Sequence, residues 1–319
     1  MIFSPKISKP VVIIGCPRSG TSLLFRILNT SKDLWSLYRE SNDILYKFLN
    51  KFHKRNESDT LTGADLNNEE KSFLLNEFQK HSLNNFYLGY IIRENLLKHK
   101  FLSPSVELIA SANFTIKKLF LKEYRLVEKS PRNCFRIEFI NKLFEDCKFI
   151  FLKRDGRPNV NSLIEGWNIE GKFKGRYARE DANGEVVHIK GYNGKKWKFV
   201  KPPEWRSYLS KPLEEVCAFQ WVSANKAALN GLASIEQNRK FIISYEELTD
   251  NPTKIVSKIC EFIEIPFSKE LKQITGELPL VNITSKPDKN KWKKNIKLIE
   301  NTYPMIEPLM KQLGYSVRD

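Results

Sequence analysis

The chain has 319 residues, 41% of them hydrophobic, which is enough apolar material for a sizeable core and excludes wholesale disorder. Its net charge of +16 points to a polyanionic partner, whether nucleic acid, an anionic membrane surface or a multiply phosphorylated ligand. The first residues lack a signal-peptide apolar region and no run of about 18 apolar residues occurs, so a cytoplasmic protein without a transmembrane segment is expected.

The first element is also the most informative. Val11-Val12-Ile13-Ile14 is a short β-branched run, the composition of a buried parallel strand. Gly15-Cys16-Pro17-Arg18-Ser19-Gly20-Thr21-Ser22 follows, and Leu23 to Leu28 then reads as helix. A glycine-bounded turn between strand and helix aims successive N–H groups and the positive helix end at one point, which makes an anion-binding nest. The spacing Gly-x-x-x-x-Gly is that of nucleotide-binding P-loops, with Ser22 at their Ser/Thr position. Thr21 stands where their lysine stands, and the nearest cation is Arg18 inside the loop. A Mg-ATP site wants that lysine, so a different phosphate is expected here.

Further along, Trp35, Leu37 and Tyr38 precede Glu40-Ser41-Asn42-Asp43 and a predicted helix. Residues 54–68 are polar and read as a surface loop, and 69–100 carry apolar residues at helical spacing. Within that stretch His81 and His99 read as surface residues. Another helix is expected over 105–120. Tyr124-Arg125-Leu126-Val127 reads as one short strand ending in Glu128-Lys129-Ser130-Pro131, followed by a helix with Phe135, Phe139, Ile140, Leu143 and Phe144 on one face. Lys148 to Leu152 is a second clear buried strand.

This alternation implies a parallel sheet with right-handed crossovers, whose chemistry sits at the carboxyl ends of the strands. Three stretches are thereby brought together: 17–22, 128–131 and 153–157. Helical periodicity disappears over 169–212, which has five glycines, several lysines and the aromatics Trp197, Phe199 and Trp205. That segment reads as an ordered insertion over the sheet edge, with Asn183-Gly184 as a candidate hairpin turn and a lid as one role. A helical pattern returns over 213–238, Phe241-Ile242-Ile243 gives another strand, and Pro252 suits the first turn of a helix running to Ile263. A lysine-rich run from Lys286 to Lys294 precedes a closing helix near Gly314. The five cysteines, at 16, 134, 147, 217 and 260, form no CxxC pair, which disfavours zinc and a disulfide framework and fits a reducing compartment.

The phosphate loop, the strand end Lys153-Arg154-Asp155-Gly156-Arg157, and Ser162 eight residues after Arg154 form a specific set. The set resembles the sulfotransferases that use 3′-phosphoadenosine-5′-phosphosulfate (PAPS), and most closely their protein-tyrosine and bacterial branch. The resemblance covers 11 to about 41, 127–167 and 241–292 and implies an α/β fold with a P-loop-type parallel β-sheet flanked by helices; the chain reads as a single domain over 1–319, whose inserted loop or hairpin region at 169–212 lies outside the resemblance, where acceptor recognition is expected.

It further implies that Arg18, Ser19, Gly20, Thr21 and Ser22 hold the 5′-phosphosulfate and that Arg154 and Ser162 bind the donor's 3′-phosphate. A strand-end arginine offers a planar fork suited to such a dianion. Tyr245 is the implied adenosine-site tyrosine and Lys291 a late lysine closing on the donor. Glu40, twenty-two residues after Arg18, falls within about one residue of that branch's catalytic glutamate, and Lys129 resembles the lysine that touches the sulfonate, with Arg18 sharing the charge. The implied reaction is in-line sulfuryl transfer from PAPS to a hydroxyl acceptor of unknown class, leaving 3′-phosphoadenosine 5′-phosphate (PAP), with no metal.

Two departures stand out. The loop cation is Arg18 rather than lysine, and Gly166 occupies the helical turn after Ser162 where an arginine is expected. Two other readings stay open: a P-loop nucleotide phosphotransferase, with Asp155 as a Walker-B-like carboxylate, and a basic nucleic-acid binder using 190–206. No nucleic acid is expected as partner under the main reading. Should Glu40 not be the base, His188 is the next candidate by residue type.

Overall fold

The computed structural model describes residues 5–37, 40–54, 57–84, 122–179, 185–283 and 288–316. The expected helix over 105–120, the far half of 69–100 with His99, and the Asn183-Gly184 turn lie outside them.

A five-stranded, all-parallel sheet forms the centre. Its strands are β2 (Val11–Ile14), β3 (Trp35–Ser36), β5 (Leu126–Lys129), β6 (Lys148–Lys153) and β7 (Lys240–Ser244), in the order β3-β5-β2-β6-β7. A separate parallel pair joins β1 (Lys6–Ile7) to β4 (Glu123–Tyr124). Tyr124 and Leu126, expected in one strand, therefore belong to two sheets, and the side chain of Arg125 between them bonds to the carbonyl of Lys9.

The period-two rule divides the core. Val12 and Ile14 with Phe149 and Phe151 face one apolar cluster, while Val11 and Ile13 with Ile150 and Leu152 face the other. The second cluster is covered by α1 (Thr21–Leu28), α8 (Pro252–Phe262) and α9 (Lys269–Gly276), through Leu24, Ile27, Val256, Ile259 and Leu271. The first is covered by α2 (Asn42–Lys51), α3 (Asn68–Asn84), α4 (Ile137–Leu143), α5 (Gly156–Trp167), α6 (Leu213–Ala233) and α11 (Tyr303–Gln312). The short helices α7 (Tyr245–Asp250) and α10 (Ile296–Glu300) complete the described set. A Ser244–Glu247 capping box starts α7, so Tyr245 follows β7 without a loop.

Residues 54–68 correct a sequence expectation. Asp59, Leu61 and Leu66 are buried, and Asp59 is a hub. Its carboxylate takes two bonds from Arg179, at 2.8 and 3.0 Å, and one from the Lys201 N–H at 2.7 Å, while Arg136 lies 3.4 Å away. Burial pushes this carboxyl up, but Arg179, Arg132 and Arg136 overcome it and hold it well below the usual range. A polar segment goes inside here because its charge is met by arginines far away in sequence.

The same contacts bind the insertion to the body. Trp197 and Trp205 are fully buried and meet edge-on, with centroids 4.9 Å apart, and Trp197 also meets Trp167 of α5 at 5.2 Å. Gln220 of α6 donates to the carbonyls of Lys198 and Val200 at 2.8 and 2.7 Å. The insertion's aromatics thus share one apolar cluster with β2 and β6. His81, by contrast, is half exposed beside Glu77, as expected for a surface residue.

Candidate active site

A cavity of about 660 Å³ opens at the carboxyl ends of β2, β5, β6 and β7. Its floor is the glycine turn. Gly20 caps α1 with φ of 98°, and no side chain caps that helix. The first N–H groups of α1 are therefore directed at the cavity, as an anion-binding nest requires. Glycine is needed at 20 for a second reason: an added Cβ would lie 2.4 Å from the Tyr245 ring. Ser19 is fully buried and its hydroxyl meets no partner.

Arg18 is the junction of this floor with the walls. Its Nε donates to Ser162 Oγ at 3.1 Å, and one terminal nitrogen donates to Tyr177 Oη and the Asn282 carbonyl, both at 2.8 Å. Burial lowers its pKa from the ordinary arginine value, with the Tyr177 phenol pulling the other way. Arg154, at the end of β6, donates to the Arg18 carbonyl at 2.7 Å and stacks over Tyr245, its guanidinium carbon 4.3 Å from the ring centre. Its Nε is buried without a partner. Two buried, unsatisfied groups, Ser19 Oγ and Arg154 Nε, thus sit beside the nest. Arg154, which lines the cavity, is the one of the two that a phosphate there would satisfy.

Across the cavity, Lys129 leaves the end of β5 and places Nζ 2.5 Å from Glu40 Oε1. Glu40 Oε2 accepts from Asn42 Nδ2 at 3.0 Å, which fixes the carboxylate at the entry to α2. Lys291 also lines the cavity and is paired with Glu165 of α5. Of the eleven residues singled out from sequence, ten line this one cavity, and Ser19 lies buried under its floor. His188 is exposed and outside the lining.

Several lining residues are not among the site residues named from the sequence, although Phe199 stands out there as an insertion aromatic. Tyr177 and Phe199 come from the insertion, stacked with centroids 4.6 Å apart, and residues 278–283, Asn282 among them, form a rim. Only their tertiary placement brings them to the site. Phe199 also accounts for Gly166: a Cβ there would lie 2.5 Å from the Phe199 ring, so an arginine at 166 has no room.

The sulfotransferase family pattern matches residues 10–181. A protein-tyrosine sulfotransferase of Drosophila melanogaster is 22% identical over 270 residues, or 84% of this chain and 40% of its own length. Protein-tyrosine sulfotransferase A of Caenorhabditis elegans is 20% identical over 324 residues, covering 97% of this chain and 68% of its own. The chain therefore spans about two fifths of the fly relative's length. The sulfotransferase domain from the curacin biosynthetic pathway is similar across 98% of this chain and 99% of its own, with 18% identity and a TM-score of 0.49. Since the family pattern takes in more than half of the sequence, from β2 through the phosphate loop to the start of the insertion, the chain belongs to the sulfotransferase family.

Proposed function

We propose that this protein moves a sulfuryl group from PAPS to a hydroxyl acceptor. The observation that carries the proposal is the meeting of two sets of groups on one cavity: an anion nest flanked by Arg18, Arg154 and Ser162, and a Glu40–Lys129 pair opposite it. The first set suits a donor with two phosphate ends. The second suits an acceptor that must lose a proton.

In this reading the α1 N–H groups and Arg18 hold the 5′ end of the donor, while Arg154 and Ser162 hold its 3′-phosphate. Tyr245, already stacked on Arg154, forms the nucleoside wall, and Lys291 closes on the donor from the late segment. The acceptor oxygen bonds to sulfur as the sulfur–oxygen bond to the 5′-phosphate breaks, and the acceptor proton passes to Glu40. Lys129 pairs with Glu40 before the acceptor arrives, then turns its charge to the sulfonate. Arg18 and the loop N–H groups take up charge building on the leaving phosphate.

The insertion, through Tyr177, Ala178, Phe199 and Val200, supplies the acceptor wall. The acceptor is a protein tyrosine, a glycan, a lipid or a small alcohol. Residues 1–319 act as one domain, and the five free, buried cysteines suit a reducing compartment such as the cytoplasm. Among the described residues, no helix is long and apolar enough to cross a membrane.

The test is transfer of label from sulfur-labelled PAPS to a panel of these four acceptor classes. Label in a sulfate ester of at least one class, dependent on Glu40, supports the reading. Labelled ester formed equally by Glu40→Gln overturns its assignment of the base.

A further inference from the structure

Consecutive residues of β5 grip consecutive residues of the turn before α2. Lys129 holds Glu40, and Glu128 holds Ser41. Glu128 Oε1 accepts from Ser41 Oγ at 2.7 Å and from the Ser41 N–H at 3.4 Å, and its other oxygen accepts from Asn133 Nδ2. Glu128 is 4% exposed and Ser41 2%, so neither meets solvent or ligand. A carboxylate carried this far inside a sheet protein needs donors on both oxygens, and these three groups supply them.

We propose that Glu128 is the positioning residue for the base: ionised, it fixes Ser41 and through it the carboxylate of Glu40; protonated, it releases that hold and transfer slows. The inference rests on the reading of Glu40 as base.

Two features support a group that works in both protonation states. Asn133 Oδ1 is buried and has no partner. Turned over, the same amide would accept a hydrogen bond from a protonated Glu128, so the pocket can receive either form. Burial, with the charge of Glu40 adding to it and the Ser41 hydroxyl opposing it, pushes this carboxyl up to about 7. The charges that act most on it are Glu40, which raises it, and Lys129, which lowers it. Its strand partner Val12 carries none, and α1 lies on the other face of the sheet, against Val127.

The experiment is the pH dependence of sulfuryl transfer by the full chain, comparing wild type with Glu128→Gln and Ser41→Ala. Infrared difference spectra of the same proteins are taken across the neutral range. Wild-type kcat should rise as pH passes about 7, while KM for PAPS stays level. Glu128→Gln should lose that rise and run roughly 10- to 100-fold slower at alkaline pH, the loss expected from a misplaced base. Ser41→Ala removes a hydroxyl that stabilises the charged form and should move the inflection to higher pH.

In the infrared, a protonated-carboxyl band should fade through neutrality in wild type, fade later in Ser41→Ala, and be missing in Glu128→Gln. Identical pH profiles in all three proteins, or a carboxyl band indifferent to Ser41→Ala, would overturn the inference. If no protein transfers sulfuryl at all, it is the proposed function that fails. The response of the band to Ser41→Ala still decides whether Glu128 grips Ser41.

Discussion

Lys129 Nζ and Glu40 Oε1 stand 2.5 Å apart, joining the end of β5 to the turn before α2 across 89 residues of sequence. Lys129 is about nine-tenths buried, whereas a third of Glu40 is open to the cavity. The lysine is thus the buried partner, and the carboxylate is the one left open to the cavity.

That asymmetry separates the two roles in kinetics. Glu40→Gln keeps shape and hydrogen-bonding reach but cannot take a proton, so kcat should fall by about 10² to 10⁴ with donor affinity nearly constant. Lys129→Ala should slow turnover by about 10² to 10³ and weaken PAPS more than PAP, because the sulfonate alone distinguishes them. Steady-state kinetics with PAP competition checks both. Near-normal turnover in Glu40→Gln would place the base elsewhere.

Asp59 predicts how the insertion is held. Asp59→Ala leaves the charges of Arg179 and Arg136 buried without their carboxylate, a loss of roughly 3–5 kcal/mol by the usual measure of broken buried pairs. Urea unfolding gives the magnitude, and limited proteolysis should show new cleavage within 169–212. The carboxyl is held below its ordinary value of 3.8 in the folded chain, so its contribution is present above that pH and lost as acid approaches the lower, folded value.

Glu128 gives the opposite slope. Its carboxyl lies near 4.5 when unperturbed and is pushed up to about 7 in the fold, so the native state binds the proton more tightly than the unfolded chain. The favourable contribution is therefore complete below about 4.5 and lost as pH rises through about 7. Urea midpoints of wild type should fall across that window relative to Glu128→Gln, and parallel curves would contradict the burial of a titrating group there.

Gly166→Ala tests the contact that replaces the expected arginine. A Cβ lying 2.5 Å from the Phe199 ring must displace it. A loss of roughly 1–3 kcal/mol follows, in the range of overpacked cores. Phe199→Leu in the same chain should restore part of it, a coupling that a double-mutant cycle in urea measures.

Much of this was legible beforehand because it is local. The β-branched run Val11–Ile14, the glycine turn and the apolar helix face of α1 follow from short-range rules, as does the capping box that sets Tyr245 directly after β7. The residues lining the cavity could be grouped because parallel strands end together. What stayed hidden depends on partners distant in sequence. Asp59 sits in a polar stretch that reads as surface until Arg136 and Arg179 are placed around it. Phe199 reads as generic insertion aromatic until its ring is found over Gly166. Glu128 reads as the polar end of a strand, and only Ser41 and Asn133 make it a buried hub.

Thermal melting with PAP and ADP side by side shows whether the cavity binds a 3′-phosphorylated adenosine nucleotide. Arg154 offers a buried, unpartnered Nε beside the nest, and Ser162 lies on the same side through Arg18. A ligand at about 100 times its dissociation constant adds roughly 2.7 kcal/mol of stability. At equal concentrations PAP should raise Tm well beyond ADP, and Arg154→Ala should erase the difference while leaving the ligand-free Tm close to wild type. Equal stabilisation by PAP and ADP, or a difference that survives in Arg154→Ala, would mean that Arg154 does not hold a 3′-phosphate in this cavity.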